Sequence, residues 1–254
     1  EALICSMEKC RDEDGVPVVA LDVAGAEDGF PNKWHKVAFD RAHASFFNKT
    51  AHAGEGYGPE SIYQAIRDLH AERIGHGFHL FSSNKVSKDV TNPQEYVRKL
   101  TKFVCDRRIC LEVCPTSNLG TMPGLKLEDH PLGKMVNQGV SVTVNTDNRL
   151  VSQTDTVKEL RRSLDALDFT PKQLREIVIN GIKRSFFHDI YPVKRKYIRK
   201  FMNYYDKVAE KHDIQGKWEA YVASQGGKNR ARAESASLEH NKMFGVTSEL
   251  DASR

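Results

Sequence analysis

Four residues able to do acid–base or metal chemistry stand at or just past the ends of apolar runs. His52 and Glu55 lie in Thr50-Ala51-His52-Ala53-Gly54-Glu55, His76 lies in Arg73-Ile74-Gly75-His76-Gly77, and Asp147 lies in Val144-Asn145-Thr146-Asp147-Asn148. Strand ends that converge on one mouth are how an α/β enzyme assembles a site. Two imidazoles and two carboxylates there suit a metal ion with acid and base partners.

Each residue also has a plainer reading. A single His beside a strand is often structural, but the small residues after His52 let the backbone open into a cavity, and neutral imidazole is a good zinc ligand. Glu55 reads either as an exposed loop carboxylate or as a group that protonates a ring nitrogen of a ligand, which requires a carboxyl whose pKa is raised by burial. His76, between Gly75 and Gly77, is either a His in a tight turn or a group that orients a metal-bound water. Asp147 follows the most strand-like run, Val140 to Val144, and an unpartnered charge at a buried strand end is costly outside a site. Ser117 and Asn118 end the run from Leu111 and are placed to line the mouth, with no specific role assigned. The cations Lys194, Arg195, Lys196, Arg199 and Lys200 read as a solvated helix face.

The elements that must position these groups alternate. Val18 to Val23 is a β-branched run closing at Ala24-Gly25, and strands recur at Ile74, Ile109 to Val113 and Val140 to Val144. Helical spacing runs through Trp34 to Phe47, Ser61 to Leu69 after Pro59-Glu60, Gln94 to Arg107 and Pro131 to Gln138. The repeat is about 25 to 35 residues, the size of a βα unit, so five units fit before residue 150 and imply a parallel sheet. Beyond Asp147 the pattern becomes helical over Asp155 to Leu167, Thr170 to Phe187 and Val193 to Lys211, with Thr170-Pro171 as an N-cap followed by Pro at the first helical position. Residues 1–223 are expected to form one catalytic domain and 224–254 a polar, mobile tail.

With 254 residues, 39% hydrophobic and 28% charged, the chain can build a substantial core. No apolar run reaches the roughly 18 residues of a membrane span, and a net charge of +4 does not by itself argue for nucleic acid. The five cysteines, Cys5, Cys10, Cys105, Cys110 and Cys114, are odd in number and form no C-x-x-C pair, which suits free thiols in a reducing cytoplasm. The opening Glu1-Ala2-Leu3-Ile4 is no signal peptide and reads as the middle of a helix.

Taken together and in order, Leu21-Asp22-Val23-Ala24-Gly25, His52-Ala53-Gly54-Glu55, Arg73-Ile74-Gly75-His76-Gly77, Glu112-Val113-Cys114-Pro115-Thr116-Ser117-Asn118 and Val144-Asn145-Thr146-Asp147 resemble the adenosine deaminases of the metal-dependent amidohydrolase group. Gly58-Pro59-Glu60-Ser61-Ile62 with Gln64-Ala65-Ile66 adds to the likeness, which covers about residues 16 to 190. It implies a (β/α)8 TIM barrel with one zinc, of which this chain carries about the last five βα units plus C-terminal helices. By that resemblance His52 and Asp147 are zinc ligands, Glu55 gives a proton to purine N1, and His76 orients the hydroxide that attacks C6. Asp147 also serves as base and Gly25 offers its backbone to the purine. Adenosine, and deoxyadenosine with it, would become inosine with loss of ammonia in purine salvage. The other zinc deaminase design, with H-x-E and P-C-x-x-C, is not matched.

Two departures accompany the likeness. The family's opening strand carries a His-x-His pair giving two further zinc ligands, and none precedes His52; His35 and His43 lie eight residues apart in a helical stretch. The resemblance therefore implies a segment ahead of Glu1. Where the family often has a second Asp touching purine N7, this chain has Asn148, whose amide can donate to N7. The expected partner is a small purine nucleoside. The alternatives are a deaminase of free adenine or a modified aminopurine, and an inactive relative that binds nucleoside without turnover.

Overall fold

A computed structural model describes residues 2–224, so the tail expected over 224–254 lies outside the described residues except for Ser224, which ends a helix. The elements run in the order α1 (Ala2–Asp12), β1 (Ala20–Leu21), α2 (Lys36–Ala44), β2 (Asn48–Ala53), α3 (Pro59–Asp68), β3 (Arg73–His76), α4 (Pro93–Asp106), β4 (Cys110–Val113), α5 (Pro115–Thr121), α6 (Leu132–Asn137) and β5 (Val142–Val144). They are followed by α7 (Arg149–Ser152), α8 (Thr156–Leu167), α9 (Pro171–Lys183), α10 (Tyr191–Lys211) and α11 (Ile214–Ser224).

All five strands are parallel, and their spatial order β1-β2-β3-β4-β5 repeats the chain order. A doubly wound sheet would reverse order at a switch point; an unreversed progression is the winding of a (β/α) barrel. Alternation along the strands separates two faces. Ala51, Ala53, Ile74, Leu111, Val113, Val142 and Val144 are buried in a core shared with Phe39 and Ala42 of α2, Ile62 and Ala65 of α3, and Leu132 and Met135 of α6. The other face is polar. There Arg73 pairs with Glu112 at 2.8 Å, Thr50 Oγ1 donates to Glu112 at 3.3 Å, and Asn145 Nδ2 donates to Thr143 Oγ1 at 2.9 Å. The sheet is thus apolar only where helices cover it.

Helix starts follow their sequence signals. Pro59 and Pro93 occupy first-turn positions of α3 and α4, and the Asn92 side chain accepts from Glu95 N at 3.0 Å. Asp155 caps α8 by accepting from Lys158 N at 2.9 Å, and Thr170 with Gln173 forms a reciprocal capping box on α9.

Several elements differ from expectation. The helix expected over Trp34 to Phe47 is a 3₁₀ turn, Asn32–His35, followed by α2, and it ends at Ala44 because the chain must turn through Phe46 (φ +61°) into β2. β2, Asn-Lys-Thr-Ala-His-Ala, is too polar to read as a buried strand. Lys49 is buried there because its Nζ donates to Phe47 O at 2.7 Å and pairs with Glu72 at 3.0 Å. The helix expected to reach Phe187 stops at Lys183, while α5 and α11 form where no helix was anticipated. Among the described residues no helix is long and apolar enough to cross a membrane, and all five cysteines are free.

Candidate active site

The parallel register places His52 beside Gly75 and Ala53 beside His76 at the carboxyl ends of β2 and β3. Gly75 makes room for the His52 ring: a Cβ there would lie 3.0 Å from His52 Cγ. Strict alternation would put His76 on the apolar face with Ile74. Its φ of +61°, followed by Gly77 at +63°, breaks the extended backbone, and its ring stands 5.2 Å from that of His52. A left-handed backbone at a non-glycine residue costs on the order of 1 kcal/mol and recurs at functional sites; Asp147, with φ +54°, is a second case here.

His52 Nδ1 lies 3.1 Å from Val23 O and 3.7 Å from Asp22 Oδ1. A carbonyl only accepts, so Nδ1 carries the hydrogen and the neutral ring keeps its lone pair on Nε2, the tautomer a metal ligand needs. The Asp22 carboxylate also raises the pKa of His52. Glu55 is half-buried, and its Oε2 lies 3.3 Å from His76 Nε2. Burial, reinforced by the charge of Asp147, raises the Glu55 pKa and favours its protonated form. Burial, with the neighbouring His52, lowers that of His76 and favours the neutral imidazole. His76 is 1% exposed, and its Nδ1 contacts Asn118 Nδ2 at 3.1 Å.

Asp147 is exposed at the far side of the mouth and accepts from Ser117 Oγ at 2.7 Å. Asn148 turns its Oδ1 back onto α7, accepting from Leu150 N and Val151 N at 3.1 and 3.2 Å. Gly25, with φ +126°, sits in the exposed loop after β1. His52, Glu55, His76 and Asp147 therefore share one neighbourhood, and Ser117 gains a partner the sequence did not supply.

Sequence reasoning missed Glu27. Its Oε1 accepts from Gly54 N at 2.6 Å and from the Ser61 hydroxyl, and its Oε2 accepts from the N–H groups of Glu55, Gly56 and Tyr57 at 2.8, 2.7 and 3.1 Å. One carboxylate thus gathers the whole loop that carries Glu55. Burial pushes this carboxyl up, but the Ser61 hydroxyl and the backbone donors outweigh it and hold Glu27 below the ordinary carboxylate value. Its position two residues past Gly25, in the loop that ends β1, was the only available signal.

The donor types, one imidazole with a free Nε2 and one carboxylate, are those zinc takes. Among the described residues no group of three His, Cys, Asp or Glu side chains converges to hold a metal ion.

Residues 4–203 match the protein family described as adenosine deaminase. The chain belongs to the adenosine deaminase family. Within it, the adenosine deaminase of Salmonella heidelberg is 38% identical over 189 residues, which cover 74% of this chain and 50% of that protein. The chain spans about half the length of the curated relatives it matches. An adenine deaminase from Arthrobacter aurescens superposes with a TM-score of 0.63 at 24% identity, over 80% of this chain and 58% of that one. An amidohydrolase from Burkholderia ambifaria, solved with bound Zn, gives 0.70 at 23% identity, over 83% and 54%. The α/β fold of this chain, with five parallel strands, is similar to the folds of that deaminase and that amidohydrolase.

Proposed function

We propose that the protein hydrolyses the 6-amino group of an aminopurine, with adenosine and deoxyadenosine as its substrates. In the overall reaction, water supplies the oxygen placed on C6 and the amino group leaves as ammonia. The observation that carries this reading is Glu55: a half-buried carboxyl pushed toward its protonated form and held beside neutral His76 at 3.3 Å. Such a group can deliver a proton to a ring nitrogen such as purine N1, which makes C6 more electrophilic.

His76 directs an N–H at the attacking water, and Asp147 takes the proton that water gives up. Asn148 has its oxygen engaged with α7, so its Nδ2 is the group that would donate to N7, itself an acceptor. Gly25 presents backbone to the purine edge. His52 and Asp147 would hold zinc as part of its ligand set, and bound zinc makes hydroxide available near neutral pH. The free thiols fit a reducing, cytoplasmic setting.

The test is ammonia release from zinc-supplemented protein given adenosine, deoxyadenosine or adenine at equal concentrations. Faster release from the nucleosides supports the reading. Preference for adenine moves the substrate to the free base, and bound zinc with no ammonia from any of them contradicts deamination.

A further inference from the structure

Beneath His76 lies a chain of buried polar groups with a single allowed polarity. Leu132 N–H donates to His130 Nδ1 at 3.0 Å, His130 Nε2 contacts Asn118 Oδ1 at 3.2 Å, and Asn118 Nδ2 contacts His76 Nδ1 at 3.1 Å. His76 Nε2 then faces Glu55 Oε2 at 3.3 Å. Asn118, Leu132, His130 and His76 are at most 3% exposed, so solvent cannot replace a missing partner.

The two imidazoles and the amide could each be turned or retautomerised in isolation. The Leu132 amide cannot: a backbone N–H only donates, and this one, in the first turn of α6, needs an acceptor. It makes His130 Nδ1 an acceptor, so neutral His130 carries its hydrogen on Nε2. That hydrogen must meet an acceptor, which fixes Oδ1 of Asn118 toward His130 and its NH₂ toward His76. A donor at His76 Nδ1 leaves only Nε2 to hold the ring hydrogen. The opposite orientation of Asn118 would leave neither nitrogen of His130 with a hydrogen. Burial lowers the pKa of His130 to about 4, so it stays neutral around pH 7. Phe78 packs edge-on to the His130 ring at 5.2 Å and limits its rotation.

We infer that His130 and Asn118 are positioning residues that lock His76 in its Nε2–H tautomer, so that it presents a donor to the substrate side of the mouth. The consequence for turnover rests on the aminopurine hydrolase reading; the tautomer itself does not. A bare Nε2 would accept from the attacking water and compete with Asp147 for its proton, whereas an Nε2–H donates to the water and leaves that proton to Asp147.

Nitrogen NMR of ¹⁵N-histidine-labelled protein at neutral pH reads the tautomer directly, with the His76 signals assigned by their loss in His76→Gln. The expected spectrum has a hydrogen-free Nδ1 and a hydrogen-bearing Nε2 in His76, and the same pattern in His130. A hydrogen on His76 Nδ1 overturns the inference. Asn118→Asp replaces the NH₂ with a second acceptor of nearly equal shape. It should move a hydrogen onto His76 Nδ1 and lower kcat by about 100-fold or more, with KM changed less than about threefold. An unchanged tautomer and kcat in that variant also overturn it. If the wild-type tautomer is as inferred but the protein releases no ammonia, the proposed function fails and the relay stands.

Discussion

Replacing Glu27 by alanine removes at once the acceptor of two hydrogen bonds on Oε1 and three on Oε2. Not all of them count equally. Gly56 and Tyr57 are exposed, so their N–H groups find water in the variant. Gly54 is buried, but its N–H still donates to Ser61 Oγ at 2.9 Å. What remains is the half-buried Glu55 amide, the buried Ser61 hydroxyl and part of the Gly54 interaction, about two charge-assisted bonds at roughly 1.5–3 kcal/mol each. Relief of the Glu27 desolvation offsets some of this, leaving a loss of about 2–3 kcal/mol. For a domain of this size that lowers Tm by about 5–10 °C. Urea unfolding at neutral pH, with m unchanged, reads the loss directly.

The pH dependence has a fixed sign. The folded pKa of Glu27 is depressed below 4.5, so its contribution is fully present above that value and is lost as pH falls through the folded pKa. The gap between wild type and Glu27→Ala should therefore hold constant from about pH 6 to 8 and shrink under acid. A gap below about 0.5 kcal/mol at neutral pH, or one that does not shrink in acid, would refute the view that this carboxylate anchors the loop.

Three other perturbations probe separate parts of the molecule. Leu111→Ala empties a fully buried position at the centre of β4 and should cost about 2–5 kcal/mol in urea unfolding. Gly75→Ala places a Cβ 3.0 Å from His52 Cγ and should displace that ring, cutting ammonia release by about tenfold or more while far-UV circular dichroism stays native; unchanged activity would remove Gly75 from the account. Asp147→Ala should lower the zinc content of the purified protein, measured by atomic emission, and normal zinc would remove Asp147 from the ligand set.

The candidate site was legible where chemistry breaks a pattern. His52, Glu55, His76 and Asp147 stand out because polar or ionisable groups and glycines follow apolar runs, and the structure gathers them at the ends of β2, β3 and β5. Residues whose roles come from partners distant in sequence were not legible. Glu27 acts on amides 27 to 30 positions away, and Asn118 reaches His76 across 42 positions. β2 was hidden because its buried Lys49 is stabilised by Glu72 and a backbone carbonyl, which only the fold brings together. α5 was hidden because Thr, Ser, Asn and Gly form helices poorly; tertiary packing and Pro115 at its first turn override that propensity.

Glu55→Gln tests the central claim most directly, because the amide keeps the shape of the carboxyl and loses its transferable proton. Ammonia release from adenosine should fall at least about 100-fold in zinc-supplemented protein, while adenosine binding, followed by equilibrium dialysis, stays within about threefold of wild type. Near wild-type ammonia release from this variant would contradict the role assigned to Glu55 and the reading built on it.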